Sequence, residues 1–365
     1  MSHTPLAKRL RKQLAVYAPV ALSLGILLWL VYPNLGEMSK TIRNSQPWWL
    51  LLSGCFAVSS YMFMGLTLWE VLRILGIRLP LLEVSGIAIV STTVNYFVSS
   101  AGISGFATRA HLLGKRGVPY GASVTSSVVI TVLIYLALAV IVIEGAVLRF
   151  MNAPAFDTGM LQSLGGVVIV LGFAFGLTLL FFHHELRAVW ARRLFVAINH
   201  VIFFFSKKEI PRENFNKFES QLDEGIRTIH GRKFELPKVV GYVFCDWVSN
   251  ILILYFAFKA VGVSLGAATL VAGFAFGMLM TIIPILPGGL GAMEAAMTAA
   301  FSGMGVATGQ ALTASLLFRF FYYLLPAFAS VLVYWRLRFS EAGLAEPSRP
   351  HSRHKGHHDR KIHRQ

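Results

Sequence analysis

Arg109, Asp246, Glu294 and Arg319 each stand inside or at the edge of a long apolar stretch of this sequence. An ionised side chain at the centre of hydrocarbon costs about 2.5–3.5 kcal/mol on insertion scales, so such residues face a cavity, a partner or a ligand. A guanidinium carries a rigid fork of donors suited to bidentate contact with a phosphate. Arg109 and Arg319 are therefore candidates to receive an anionic headgroup, with Tyr322 and Tyr323 on the turn after Arg319 extending the polar surface. Glu294 has two readings. It balances the arginines or engages a cationic headgroup, or it forms a structural salt bridge with an arginine and holds two parts of the protein together. Asp246 and Asn250 fall one helical turn apart in another apolar stretch, and Asn95 lies in a third. Asp246 could relay protons, or it could be a hydrogen-bonded structural carboxylate.

Other chemistries are not indicated. There is no phosphate-binding P-loop, no HExxH zinc helix and no serine elbow. Cys55 and Cys245 both fall in apolar runs, so neither a disulfide framework nor a multi-ligand metal site is expected. His183–His184 is an isolated pair, and the histidines of the tail (His351, His354, His357, His358, His363) show no ligand spacing. No metal, cofactor or catalytic residue is assigned from the sequence.

The elements that position these residues are membrane helices. Of the 365 residues, 55% are hydrophobic and only 14% charged, and several runs reach the roughly 20 residues that cross a bilayer. The runs are continuous rather than alternating, which excludes a transmembrane barrel. Leu14–Tyr32 is uncharged over 19 residues, longer than the core of a signal peptide. Further crossings are expected at Pro47–Trp69, Tyr120–Leu148, Leu161–Phe182, Val239–Phe258 and Gln310–Trp335. The net charge of +16 is spread along a topology rather than gathered in a nucleic-acid-binding patch, and no nucleic-acid partner is expected.

Two apolar segments are broken by glycine, Val84–Thr108 (with Gly102 and Gly105) and Ala267–Ser302 (with Pro287, Gly288, Gly289 and Gly291). If both enter and leave by the same side, the cytoplasmic segments hold 28 of the 33 Lys and Arg, as positive loops should. If the first crosses fully, the basic stretch Arg187–Lys238 moves outside. The hairpin reading puts both termini in the cytoplasm, with one hairpin entering from each side, which is the pattern of an inverted repeat whose broken helices meet near the midplane. The alternative is glycine and proline kinking ordinary helices. The glycines either let backbone approach a headgroup or only tighten helix packing.

The expected fold is thus an all-α polytopic membrane protein, about six full transmembrane helices plus two oppositely oriented re-entrant hairpins. Its parts are a basic N-terminus (1–13), a first membrane half (14–182) with the hairpin 84–108, amphipathic helices (183–238), a second half (239–335) with the hairpin 267–302, and a disordered basic tail (336–365). In 183–238, Phe215, Phe218, Leu222, Ile226 and Ile229 recur at helical spacing. They could lie on the membrane or pack on the bundle.

Three blocks carry a resemblance. Gly105–Leu113 with Lys115–Pro119, then Pro287–Gly291 with Glu294, then Arg319, Tyr322, Tyr323 and Pro326 together resemble the signatures of the flippase-like transmembrane family, which includes the membrane domain of lysylphosphatidylglycerol synthases. Members often carry an acidic residue just after the first-block glycine, where this chain has Phe106. The synthases also carry a large soluble domain after the membrane part, and this chain ends 30 residues past Trp335, so aminoacyl transfer is not expected. The resemblance implies a lipid transporter or flippase of the bacterial inner membrane. Its cargo would be a phospholipid or a polyprenyl- or hopanoid-type lipid. The alternatives are an accessory protein for a lipid-modifying or glycosyl-transferring enzyme, and a small-solute transporter. The oligomeric state is not indicated.

Overall fold

A computed structural model describes residues 31–97, 103–152, 212–282 and 287–344, with isolated positions at 28–29 and within 165–179. The expected crossings Leu14–Tyr32 and Leu161–Phe182 fall, apart from scattered positions, outside the described residues. So do Gly102, residues 183–211 and the tail from 345.

The described helices are α1 (Leu35–Arg43), α2 (Pro47–Ile74), α3 (Leu81–Phe97), α4 (Ile103–Gly114), α5 (Tyr120–Asn152), α6 (Arg212–Gly231), α7 (Leu236–Ala260), α8 (Ala267–Leu279), α9 (Ala292–Gly303), α10 (Thr308–Arg319) and α11 (Leu325–Leu344). A π-turn, Phe320–Leu324, joins the last two into one rod. Four helical stretches are long and apolar enough to cross a membrane: Pro47–Ile74, Tyr120–Leu148, Lys233–Ala260 and Thr308–Leu337. Leu81–Phe97 and Ala267–Leu279 are apolar but shorter. This is an all-α polytopic membrane protein.

Local signals set the helix limits. Pro47 opens α2 and a proline falls in the first turn of α7, where a missing N–H goes unnoticed. The two shorter helices each fold back on the next. Gly105 of α4 sits against Asn95 and the Ser91 carbonyl of α3, while Gly273 and Gly277 of α8 sit against Phe301 and Met297 of α9. Both pairs are antiparallel hairpins, and both end in the same device. Gly117 (φ 76°) and Gly305 (φ 90°) take the left-handed conformation just past the helix. The next residue's N–H then reaches back into the last turn, Val118 to the Leu113 carbonyl and Val306 to the Phe301 carbonyl.

The order long, short, short, long therefore occurs twice, as α2–α5 and as α7–α11. Two buried clusters lie toward opposite ends. One joins the C-terminal part of α2 and the N-terminal part of α3 to Leu112, Leu113, Val118, Val239 and Leu337. The other joins Leu138–Val142 to the C-terminal part of α7, to α8 and α9, and to Ala311–Phe318. The α3–α4 pair opens toward the first end and the α8–α9 pair toward the second. Lipid tails supply no hydrophobic drive between helices, so contacts rely on small residues and close packing. Gly65 meets Ser85 between α2 and α3, and Gly145 meets Ala272 and Ala275 between α5 and α8. Large apolar side chains such as Val58, Met62, Phe244, Phe328 and Leu332 stay exposed on the outside, as a lipid-facing surface requires.

Leu222, Ile226 and Ile229 of α6 are buried against Leu112, Leu113 and Val118, and Gly225 seats against Thr125 of α5. The apolar face of α6 packs on the bundle. Phe215 and Phe218 belong to the same helix, but their side chains lie outside the described residues.

Candidate functional site

Glu294 is the third residue of α9 and is fully buried. Its Oε2 accepts the Gly291 backbone N–H at 2.8 Å, so the carboxylate caps its own helix. Gly291 holds φ 83°, which turns the chain sharply enough for that bond. The other carboxylate oxygen forms an ion pair with Arg319 Nε, at the end of α10. Arg319 is likewise buried, at 4% exposure. Its Nη atoms donate to the Gly288 carbonyl at 3.4 Å and to the Gly289 carbonyl at 3.3 Å. Its guanidinium also lies over the Tyr323 ring, 4.8 Å from the centroid. The tip Pro287–Gly291 thus wraps around one arginine. Gly288 (φ 54°) has no room for a side chain, because a Cβ there would run into the Tyr323 hydroxyl.

Tyrosines carry this cluster to the other hairpin. The Tyr323 hydroxyl donates to the Tyr96 carbonyl at the end of α3, and the two rings stack with centroids 4.6 Å apart. The Tyr96 and Tyr322 hydroxyls share a hydrogen bond of 2.5 Å. The Tyr61 hydroxyl, from α2, donates to the Tyr322 carbonyl at 3.0 Å. That carbonyl needs a partner because Pro326, four residues on, has no N–H to offer it. The π-turn at Phe320–Leu324 is the local response of the helix, and such turns recur at functional sites. The single turn at Pro287–Gly289 also packs on α3. The end of α3 and the Pro287–Gly291 turn therefore meet around Arg319, Glu294 and the tyrosines.

Two other polar groups stand apart. Ser60 donates to Asp246 Oδ1 at 2.5 Å, with Asn250 Oδ1 at 3.2 Å from the same hydroxyl, and Asn250 Nδ2 donates to Asp246 at 3.3 Å. This cluster joins α2 to α7 one residue away from Tyr61. Arg109, 9% exposed, donates from Nε to Ser91 Oγ of α3 and from Nη1 to Ser127 Oγ of α5, both at 3.4 Å. Asn95 lies one turn beyond Ser91 on α3, its Oδ1 buried without a partner. The structure thus gathers Glu294, Arg319, Tyr322, Tyr323 and the Pro287–Gly291 turn, pairs Asp246 with Asn250, and keeps Arg109 and Asn95 with the first hairpin. Ser60, Tyr61, Ser91, Tyr96 and Ser127 were not singled out in the sequence. The proline four residues after Tyr322 was a readable sign that some donor must reach that carbonyl. Among the described residues no group of three or more His, Cys, Asp or Glu is placed to hold a metal.

Residues 16–330 match the family model described as the lysylphosphatidylglycerol synthase TM region. The chain belongs to this family. The match is to the membrane region of the synthases and not to their catalytic part. Two UPF0104 membrane proteins of Methanothermobacter thermautotrophicus are similar over nearly the whole length. One is 22% identical over 326 residues, covering 85% of this chain and 90% of the relative. The other is 27% identical over 320 residues, covering 84% and 89%. A phosphatidylglycerol lysyltransferase of Staphylococcus epidermidis is 27% identical over 88 residues, 24% of this chain and 10% of the relative. Membership of this family is consistent with a lipid-handling role for a multi-pass membrane protein.

Proposed function

We propose that this protein moves a polar-headed lipid between the two leaflets, and that the headgroup passes between the tips of the two hairpins. The observation that carries this reading is the packing of the end of α3 against the Pro287–Gly289 turn and Tyr323, beside the buried Glu294–Arg319 pair. Non-helical backbone at that depth is tolerated only where it is buried in protein or lines a wet cavity. The twice-repeated order of helices and the matching glycine ends of α4 and α9 support an inverted repeat with two re-entrant hairpins. Adding Leu14–Tyr32 and Leu161–Phe182 brings the full crossings to six. The distribution of Lys and Arg supports cytoplasmic termini in a bacterial-type inner membrane. Relatives named for phosphatidylglycerol make a phospholipid the first cargo to test.

The mechanism follows from differential contacts. Arg319 holds the second tip closed through Glu294 and the Gly288 and Gly289 carbonyls, and Tyr323 fastens that tip to Tyr96. A headgroup that competes for Arg319 or Tyr96 loosens the junction and takes the place of the contacts it breaks. The test is a headgroup-quenching assay in liposomes holding purified protein and a panel of labelled phospholipids and polyprenyl lipids. Faster exchange than in protein-free vesicles is expected. Exchange equal to protein-free vesicles across the panel overturns the reading.

One observation favours a second reading. Glu294 and Arg319 satisfy each other, as a purely structural bridge would. On that reading the protein is a non-transporting accessory to a lipid-modifying enzyme, and equal exchange in that assay would support it.

A further inference from the structure

We propose that Arg109, with Ser91 and Ser127, forms an anion site for a phosphate group between α3, α4 and α5, separate from the junction of the hairpin tips. The argument starts from the contrast between the two buried arginines. Arg319 has a carboxylate, two carbonyls and an aromatic face. Arg109 is nearly as buried, yet no carboxylate forms an ion pair with it among the described residues. Two carboxylates on α2 and α3 at the same end of the bundle are engaged elsewhere, Glu83 with Arg116 at 2.8 Å and Glu70 with Arg73 at 3.4 Å. A buried guanidinium without a countercharge is unfavourable, and the usual remedy is an anion.

The hydroxyls around it are set as acceptors. Ser91 donates to the Ala88 carbonyl at 3.1 Å and Ser127 to the Ser123 carbonyl at 3.0 Å, so each turns a lone pair toward Arg109. Both contacts are long at 3.4 Å, beyond the usual range for N–H···O. They orient the fork without using it up. A guanidinium has five N–H donors, and the described contacts engage two of them. The remaining edge suits two oxygens of a phosphate. Asn95, one turn deeper, adds an amide that can present its NH2 by turning over, since the assignment of its O and N follows from contacts and its Oδ1 has none. Arg109 lies five residues before Gly114, about 8 Å of helix from the end of α4. That end exposes Lys115, whose charge favours the approach of an anion.

A lipid phosphodiester and free phosphate share this chemistry. Taking the lipid as the source rests on the transport reading; the anion site itself does not. The test is thermal unfolding of the purified full chain in uncharged detergent at fixed ionic strength. The additions are dihexanoyl phosphatidylglycerol, inorganic phosphate, or sodium chloride. Wild type is expected to be stabilised by phosphatidylglycerol with a Kd about tenfold or more tighter than that of Arg109→Gln. Arg109→Lys is expected between them, because it keeps the charge and loses the fork. Arg109-dependent stabilisation by phosphate alone would assign the site to the free anion. Equal stabilisation of wild type and Arg109→Gln, equal effect of chloride, or no effect at all overturns the proposal. If Arg109→Gln does not fold, Arg109→Lys carries the comparison, and unchanged phosphate binding by it is the overturning result. Binding is read without vesicles, so protein that binds but does not exchange lipid contradicts the transport reading alone. Protein that exchanges lipid but does not bind contradicts the site alone.

Discussion

Breaking the Glu294–Arg319 pair from one side should destabilise the protein far more than replacing both partners. Glu294 has 0% and Arg319 5% of its side chain exposed, so removing one partner leaves the other charge buried, at a cost of about 3–5 kcal/mol. Glu294→Gln keeps an oxygen for the Gly291 N–H and isolates the arginine charge. Arg319→Met keeps the volume, isolates the carboxylate and frees the Gly288 and Gly289 carbonyls. Added independently, the two would cost about 6–10 kcal/mol, comparable to the whole stability of many domains. In the double variant neither charge remains, so the penalty of an uncompensated buried charge disappears. The loss then falls to the carbonyl contacts and the Tyr323 stacking, about 1–3 kcal/mol. The coupling is therefore about 3–5 kcal/mol or more in favour of the double variant, read from equilibrium unfolding in mixed micelles. Additivity of the two single effects to within about 0.5 kcal/mol would refute the reasoning.

Other expectations follow from the same geometry. Gly288→Ala should cost about 2–3 kcal/mol, combining left-handed strain with the displaced Tyr323 hydrogen bond; a thermal midpoint equal to wild type would contradict the clash. Tyr61→Phe should cost about 1–3 kcal/mol by orphaning the Tyr322 carbonyl, and Pro326→Ala in that background should recover part of the loss by restoring an N–H, as unfolding midpoints would show. Cysteines placed at Ser302 and Gly303 should react with a membrane-impermeant reagent from outside the cell, and reaction from the cytoplasmic side alone would reverse the orientation of the second hairpin. Gly277→Val should separate α8 from α9 by driving into Met297, and a detergent melt indistinguishable from wild type would show that this contact tolerates expansion.

Much of this arrangement was legible in the residues. The apolar runs marked the long helices because a bilayer imposes its own length scale, and the glycine-broken segments contain the two shorter apolar helices. Glu294 and Arg319 stood out because charge in hydrocarbon demands a reason. What sequence could not supply was the choice between partners. Arg109 and Arg319 look alike in one dimension, and only packing gives one a carboxylate and the other two serines. Tyr61, Tyr96 and Ser60 sit in apolar runs where aromatic and small hydroxyl residues are common, so nothing in their spacing separates a bridging side chain from filler. The apolar period of α6 is the same whether the helix lies on lipid or on protein, and the contacts of Leu222, Ile226 and Ile229 decide it for that helix.

The most direct measurement is the rate of lipid exchange supported by the folded Glu294→Gln/Arg319→Met double variant beside wild type in the same liposomes. If headgroups pass between the hairpin tips, wild type exceeds protein-free vesicles and the double variant falls back toward them despite its retained fold. A double variant that exchanges lipid as fast as wild type would contradict a path through this junction.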